Sequence, residues 1–438
     1  MKSTSKELTF SVLCLLLAAG ASGCGQTESS SADIQPETDT QTTAATEAAE
    51  TETTAAETEA PEPVYDYVHG DDGYFSLTDS GLGTPVKVQG TGTCWAIAAS
   101  SAIESGILVN SGKTKEIDPD SLLNAVYNDE KAEGWFLAEN LSKKDLCGRG
   151  WMVVEALADG IDGMVLTEAN DYENCDPEFI KESIRTKGAI SVGVPDKQAA
   201  RGFFGDYQTF NQPDAVEDNG DFDHDVTIIG WDDHFPKEYF RTEASQDGAW
   251  LVQNSRFEKY SYYWFSYDTK FLTPYGWNAS EDYGEVISYD GGKENHIGTG
   301  DETSIANVFH HAGSLTAVGT YTTADNQKIT IEIRDAAMEN VLYSQDAEYP
   351  VKGYHLTDLE APQDVTDYAI VIRFAGDAPV EGDGFSDEFL SYHASAEAGQ
   401  SFVLIDDKWA DLSLPETAEA LKLDFTPNNA CIKAVYAK

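Results

Sequence analysis

The chain is poor in basic residues. It has 28 lysines and arginines against 77 aspartates and glutamates, which gives a formal net charge of -49 at pH 7. A protein this acidic repels phosphate backbones, so nucleic acid is excluded as a partner. The excess of negative charge indicates first a well-solvated surface, and second an attraction for basic substrates.

Cysteines are also few. The 438 residues contain six, and Cys14 and Cys24 lie close to the N-terminus. The other four are scattered, at Cys94, Cys147, Cys175 and Cys431. This scatter excludes a dense disulfide framework. A bridge between Cys147 and Cys175 and burial as separate thiols remain two alternatives.

The N-terminus lacks an apolar run long enough for a comfortable membrane span. Lys2 and Lys6 precede an apolar stretch over residues 8–20, and small residues at 21–23 lead to Cys24. This order is typical of an export signal. It resembles a bacterial lipobox, which predicts a signal peptide over residues 1–23 and a lipid on Cys24 that holds the protein on the outer face of the cell membrane. An ordinary cleaved secretion signal is the alternative, and either one exports the protein.

Residues 25–64 contain no lysine, no arginine and no aromatic residue. Such a segment cannot bury enough apolar surface to offset the entropy lost on ordering. Its threonine, alanine, glutamate, serine and proline content predicts an acidic disordered tether over residues 24–66.

Two folded modules are expected after the tether. Residues 67–282 (the first module) mix helix and strand patterns. The apolar spacing from Cys94 to Leu108 predicts a helix, and Asp176-Pro177 predicts the start of another that ends at Gly188. A short strand is predicted over residues 189–194.

Residues 283–438 (the second module) have short β-branched or aromatic segments separated by turn residues. Residues 329–334 show the clearest alternation, with isoleucine at every second position. Alternation of this kind is typical of a strand with one buried face. The second module is therefore predicted to be an all-β sandwich.

The segment 89–96, QGTGTCWA, places Cys94 at the start of an apolar helix, just after a glycine-rich turn. The positive end of a helix dipole favours a thiolate over a thiol. Gln89 can donate a hydrogen bond to a developing oxyanion. A lone helical cysteine is more often only a small buried hydrophobe, but these neighbours favour a nucleophile.

A cysteine nucleophile needs a base, and the best candidate is His224 at the entrance to an apolar strand. It lies 130 residues after Cys94, a separation at the lower edge of the usual range for papain-type enzymes. His234 and five histidines of the second module are weaker candidates. Asn254 ends another apolar strand and can orient an imidazole without adding charge.

These ordered segments resemble the papain-like cysteine peptidases. The resemblance covers roughly residues 74–267 and implies an α+β fold with a helical lobe and a β-barrel-like lobe. It also implies an endopeptidase that acts on polypeptides through a thioester intermediate, with Cys94, His224, Asn254 and Gln89 as site residues and with no metal or cofactor. The second module resembles the lectin-like β domain of some bacterial members, so cell-surface or wall glycans are further candidate partners.

The chain departs from the family pattern at two places near the site. Only four residues separate Gln89 from Cys94, and Arg256 stands where the family usually has tryptophan after Asn-Ser. These departures leave open a weakened peptidase that works mainly in binding or adhesion through its β domain. A different Cys–His enzyme, which cleaves wall peptides or transfers acyl groups, is the third alternative.

Overall fold

The structure, a computed structural model, describes most of both modules. The described residues are 67–90, 92–127, 133–137, 148–173, 175–194, 201–204, 207–213, 224–255, 261–291, 294–386 and 390–438. The predicted signal, the tether, Cys24, Cys147 and Arg256 lie outside them. No helix within these ranges is long and apolar enough to cross a membrane.

Helices are concentrated in the first module. The described helices are α1 (Cys94–Ser111), α2 (Pro119–Val126), α3 (Gly150–Ala158), α4 (Pro177–Lys187) and, in the second module, α5 (Pro415–Leu421). The start and end of α4 agree with the prediction. The Asp176 carboxylate accepts a hydrogen bond from the Glu178 N–H, and Gly188 follows the last turn with φ of +113°. That left-handed conformation suits glycine.

The strands of the first module are short. They are β1 (Tyr74–Ser76), β2 (Gly134–Leu137), β3 (Val165–Asp171), β4 (Ile190–Val194), β5 (Arg201–Phe204), β6 (Tyr207–Phe210), β7 (His224–Asp232), β8 (Ala249–Gln253), β9 (Tyr262–Ser266) and β10 (Leu272–Ser280). Neighbouring strands pair in the order β3, β10, β4, β7, β8, β9, β6, β5, and β1 adds to β7. All these pairs are antiparallel except β6 with β9.

The first module has two lobes with separate cores. Trp95, Leu122 and Met152 belong to the core of the helical lobe, whereas Val226 and Val252 belong to the core of the β lobe. This two-lobed arrangement agrees with the α+β architecture that the sequence predicts.

Helix α1 joins the two lobes at a glycine. A Cβ added at Gly106 would lie 2.0 Å from the carbonyl oxygen of Trp277 in β10. No larger residue fits this contact without a shift of backbone, so glycine is what allows α1 to lie directly on the sheet.

The second module consists almost entirely of strands. They are β11 (Val286–Ile287), β12 (Glu294–Ile297), β13 (Glu302–Thr322), β14 (Gln327–Asp335), β15 (Val341–Tyr349), β16 (Gly353–Ala375), β17 (Ala378–Asp383), β18 (Leu390–His393), β19 (Ser401–Ile405), β20 (Lys408–Asp411), β21 (Thr426–Ala430) and β22 (Ile432–Tyr436).

These strands form the predicted sandwich. The larger layer has the order β15, β14, β16, β13, β19, β20, and the second half of β13 also pairs with β22. The smaller layer is β12, β17, β21. Ile331 and Ile370 of the larger layer share a core with Val380 of the smaller one. The alternation in β14 is confirmed, because Ile329, Ile331 and Ile333 are all buried.

The two modules share a core, which the sequence did not predict. Strand β2 pairs with β18 of the second module, so that Trp135 lies opposite Tyr392. Strand β3 pairs with the first residues of β16. Tyr321, Tyr354 and Tyr392 of the second module complete the core of the helical lobe.

Candidate active site

Cys94 is the first residue of α1 and its side chain is buried, with 4 % exposed. The first N–H groups of a helix have no partner within the helix, and the dipole places partial positive charge there. The described first turn of α1 contains no acidic residue that would oppose this field. The local electrostatics therefore favour a negatively charged sulfur at Cys94.

The segment before Cys94 is tied to α1 by a buried ion pair. Lys87 Nζ lies 2.6 Å from Glu104 Oε1 and donates further bonds of 3.0 Å to Ser100 Oγ and to the Ile117 carbonyl. Glu104 Oε1 also accepts the Ile117 N–H at 2.7 Å. These bonds set the position from which the chain turns into Cys94.

His224 and Asn254 form a hydrogen bond across two neighbouring strands. His224 begins β7, Asn254 follows β8, and His224 Nε2 lies 2.6 Å from Asn254 Oδ1. Because an amide oxygen only accepts, the imidazole carries its proton on Nε2 in this contact. Both side chains are at least 97 % buried. The bond directs Nδ1 away from Asn254 and fixes the plane of the ring.

Gln89 is held by the residue after Asn254. The Ser255 hydroxyl donates to Gln89 Oε1 at 2.7 Å, and the Gln89 N–H donates to the Ser255 carbonyl at 2.8 Å. Since the amide oxygen faces Ser255, the NH₂ end of the amide points elsewhere. Gln89 is thereby anchored at the residue that directly follows Asn254. The sequence predicted Gln89 and missed the part of Ser255, whose only signal was a hydroxyl directly after Asn254.

Contacts between the lobes bring α1 to β7. Thr227 Oγ1 in β7 donates to the Ala98 carbonyl of α1 at 3.3 Å. Ala98 lies one turn after Cys94, and Thr227 lies three residues after His224. This bond sets the first turn of the helix beside the first residues of the strand. A further close contact is at Gly148, where an added Cβ would lie 2.3 Å from the Trp95 ring.

The other histidines lie away from this arrangement. His234 follows β7 and its side chain is 62 % exposed. His355 is buried in the second module, where burial lowers its pKa to about 4 and keeps the ring neutral at physiological pH. No group of three or more His, Cys, Asp or Glu side chains within the described ranges is placed to hold a metal ion.

Known proteins are similar to both modules. The family model described as "Lectin like domain" matches residues 288–436. The solved structure of the cysteine protease and lectin-like domains of Cwp84, a surface layer associated protein of Clostridium difficile, superposes with a TM-score of 0.66. The superposition covers 84 % of this chain and 89 % of that chain, at 19 % identity. A structure of the same protease after propeptide cleavage gives the same TM-score and covers 98 % of that chain.

Curated relatives match part of the chain. Rat cathepsin S is 27 % identical over 203 residues, which is 40 % of this chain and 54 % of the relative. Rat procathepsin L is 24 % identical over 191 residues, which is again 40 % of this chain and 54 % of the relative. The chain therefore spans about half the length of these relatives.

The fold and these similarities define the class of protein: it has the architecture of a papain-like cysteine peptidase. In particular, its two modules follow one another in the same order as the cysteine protease and lectin-like domains of Cwp84, and the second module matches the lectin-like family model. The comparisons confirm the resemblance that the sequence showed, namely a papain-like module followed by a lectin-like domain.

Proposed function

We propose that the protein is a cysteine endopeptidase that hydrolyses polypeptides outside the cell. The observation that carries the proposal is the 2.6 Å hydrogen bond between His224 and Asn254, on the lobe against which α1 and Cys94 are packed. A cysteine at a helix start, an imidazole held by an amide, and a glutamine donor are together the groups that acyl transfer requires.

In the proposed mechanism, Cys94 and His224 form a thiolate–imidazolium pair. The thiolate attacks a peptide carbonyl carbon, and the negative charge that develops on the carbonyl oxygen is stabilised by the Cys94 N–H and the Gln89 side-chain amide. His224 gives its Nδ1 proton to the leaving amine as the C–N bond breaks, which leaves a thioester. His224 then takes a proton from water, and the resulting hydroxide attacks the thioester carbon. The C–S bond breaks, the carboxylic acid product leaves, and the thiolate–imidazolium pair is restored.

Selective alkylation tests whether Cys94 is activated. We expect iodoacetamide at mildly acidic pH to label Cys94 faster than Cys175 or Cys431. Burial raises the pKa of Cys175 to about 11 and that of Cys431 well above its ordinary value, so both remain protonated. Mass spectrometry of the labelled peptides measures the rates. Equal rates at the three thiols would count against an activated pair.

Hydrolysis of a mixed peptide library by the wild type and by Cys94→Ala tests the reaction itself. We expect loss of cleavage in Cys94→Ala and full activity in the control Cys175→Ala. If the wild type and Cys94→Ala behave alike, the second candidate function is favoured, in which the protein works in binding or adhesion. The match of residues 288–436 to a lectin-like domain supports that candidate, with surface glycans as ligands. Products of transamidation or of wall-peptide cleavage would instead favour another Cys–His enzyme.

We also propose that a lipid on Cys24 holds the protein at the outer face of the cell membrane. The support is the order of basic, apolar and small residues before Cys24. Labelling of growing cells with a fatty-acid probe is expected to mark the wild type and to leave Cys24→Ser unmarked. Equal labelling, or release of the wild type to the medium, would contradict the anchor.

A further inference from the structure

Asn254 has a second polar atom that the proposed mechanism does not use. Its amide oxygen accepts the proton of His224 Nε2 at 2.6 Å, which leaves Nδ2 as the donor end of the same amide. Nδ2 is buried and has no hydrogen-bond partner among the residues that the structure describes. Folded proteins pair almost all buried donors, either with another protein group or with an ordered water molecule. An acceptor for Nδ2 is therefore expected next to Asn254.

A small cavity lies against Asn254, at the seam between the lobes. It is lined by Ala98 and Ser101 of α1 and by Asp225 and Thr227 of β7. Its volume is about 10 Å³, which is the room that one water molecule needs and is far too little for a substrate side chain. A single water molecule is therefore the occupant that fits the cavity.

Most donor groups around this cavity are bound to protein atoms. Lys87 Nζ donates to two side chains of α1 and to one carbonyl. The Ser255 hydroxyl donates to the Gln89 amide oxygen, and the Thr227 hydroxyl donates to a carbonyl of α1. Ser101 is 4 % exposed, and within the part of the chain that the structure describes its hydroxyl is the lining hydroxyl that remains for a water molecule.

The polar groups of the cavity determine how a water molecule is bound there. A buried water molecule is held by two to four polar partners. Asn254 Nδ2 only donates, so the water accepts a hydrogen bond from it and has two protons to give. The Ser101 oxygen accepts one of them, and the carboxyl group of Asp225, which also lines the cavity, accepts the other. The water then presents only lone pairs to Asn254.

This arrangement selects one of the two orientations of the Asn254 amide. With Oδ1 toward the imidazole, His224 carries a proton on Nε2 and uses Nδ1 for the proton exchange with Cys94. After a half-turn of the amide, its NH₂ group would face Nε2 and favour the other tautomer. The same half-turn would place the amide oxygen against the lone pairs of the water. The water therefore stabilises the orientation that the reaction needs.

We propose that Ser101 is a positioning residue, and that one water molecule held between Ser101 and Asn254 keeps the Asn254 amide oxygen directed at His224. The effect of Ser101 on the reaction rate rests on the proposed peptidase function. The water molecule and the tautomer of His224 are properties of the folded chain, so both can be measured without catalysis.

A crystal structure of the full chain, at a resolution that shows ordered water, tests the proposal directly. We expect one water molecule within about 3.2 Å of both Asn254 Nδ2 and Ser101 Oγ. A cavity without water density, or one filled by a protein side chain, would overturn the proposal. This measurement needs no variant, so it holds even where a substitution prevents folding.

Steady-state kinetics of Ser101→Ala measures the consequence for the reaction. The substitution removes an acceptor of the water and adds no bulk. We expect kcat to fall about tenfold with little change in KM, which is the effect of losing one hydrogen bond. Ser111→Ala is the matched control, because the Ser111 hydroxyl lies at the other end of α1 and donates to the Ile107 carbonyl at 2.7 Å. It is expected to leave kcat unchanged.

Nitrogen NMR of isotope-labelled histidine separates a positioning role from a loss of stability. The full chain with Cys94→Ala is compared with and without Ser101→Ala, and the His224 signal is assigned by its loss in His224→Gln. We expect neutral His224 to carry its proton on Nε2 when Ser101 is present. Ser101→Ala is expected to shift part of the population to the Nδ1 tautomer, which a loss of stability alone would not do.

The outcomes distinguish this proposal from the proposed function. If the wild type cleaves no peptide, but the water is present and Ser101→Ala shifts the tautomer, the peptidase function fails and the positioning role stands. If the wild type cleaves peptides and Ser101→Ala changes neither kcat nor the tautomer, the positioning role is wrong and the peptidase function stands.

Discussion

Gln89 illustrates how much of the site depends on single side chains. Its amide oxygen is held by the Ser255 hydroxyl and its N–H by the Ser255 carbonyl, although 166 residues separate the two in sequence. The Ser255 hydroxyl thereby fixes the position of the Gln89 amide oxygen. We expect the anchoring by Ser255 to compensate for the short spacing between Gln89 and Cys94, which the kinetics of Gln89 variants can test.

Gln89→Ala is predicted to lower kcat by about 100- to 1000-fold with a smaller change in KM, because a donor to the developing oxyanion is lost. Ser255→Ala is expected to lower kcat less than Gln89→Ala does, because the Ser255 hydroxyl acts by holding the Gln89 amide. Ser255→Thr keeps a hydroxyl and is expected to be more active than Ser255→Ala. Steady-state kinetics on one peptide measures these effects. Gln363→Ala, in a strand of the second module, is the control. A Gln89→Ala enzyme that keeps kcat within threefold of the wild type would show that the oxyanion role is wrong.

At the scale of elements, the start of α1 is positioned from three directions. The Lys87–Glu104 pair ties the preceding segment to the helix, Thr227 ties β7 to its first turn, and Gly106 lets its middle lie on β10. The helix therefore cannot shift along its axis without breaking buried polar bonds. This rigidity is what an alignment of Cys94 with His224 needs.

Lys87→Ala is predicted to destabilise the protein by about 3 kcal/mol, because it leaves the Glu104 carboxylate buried without its cation. Only 2 % of the Glu104 side chain is exposed. Lys113→Ala is the matched control. Its pair with Asp282 spans 3.7 Å between side chains that are 68 % and 76 % exposed, so a change within about 0.5 kcal/mol is expected. Denaturant unfolding measures both variants, and equal effects would contradict a structural role for the buried pair.

At the scale of the whole molecule, the two modules are joined by a buried lysine. Lys433 of β22 is 1 % exposed, and its Nζ lies 2.7 Å from Asp159 Oδ1 at the end of α3 and 2.8 Å from Asp290 Oδ2. Lys433 thus ties the end of α3 to the second module.

Lys433→Met is predicted to lower the free energy of unfolding by about 3–5 kcal/mol, because Asp290 would remain buried without a cation. The substitution weakens the contact between the two modules. Thermal unfolding should therefore change from one transition to two, one for each module. Calorimetry of the full chain measures this. Lys408→Met, an exposed lysine in β20, should leave the profile unchanged. A single transition at the wild-type temperature in Lys433→Met would show that the modules are held by their apolar contacts alone.

Local patterns in the sequence predicted a large part of the fold and the choice of site residues. Cys94 at a helix start, His224 at a strand start and the alternating isoleucines of β14 are features of neighbouring residues, which helix and strand periodicity reveal directly. The change of pattern near residue 283 indicated two modules for the same reason.

Contacts between distant residues were decided only by the tertiary structure. The bond from Ser255 to Gln89 and the pair of Lys433 with Asp159 across 274 residues both depend on how complete elements pack. The sequence by itself determined which residues can carry the chemistry, because a residue's type and its immediate neighbours are both visible in a short stretch of sequence. The packing of two lobes and a sandwich decided which of them meet, because that depends on the shapes of whole surfaces.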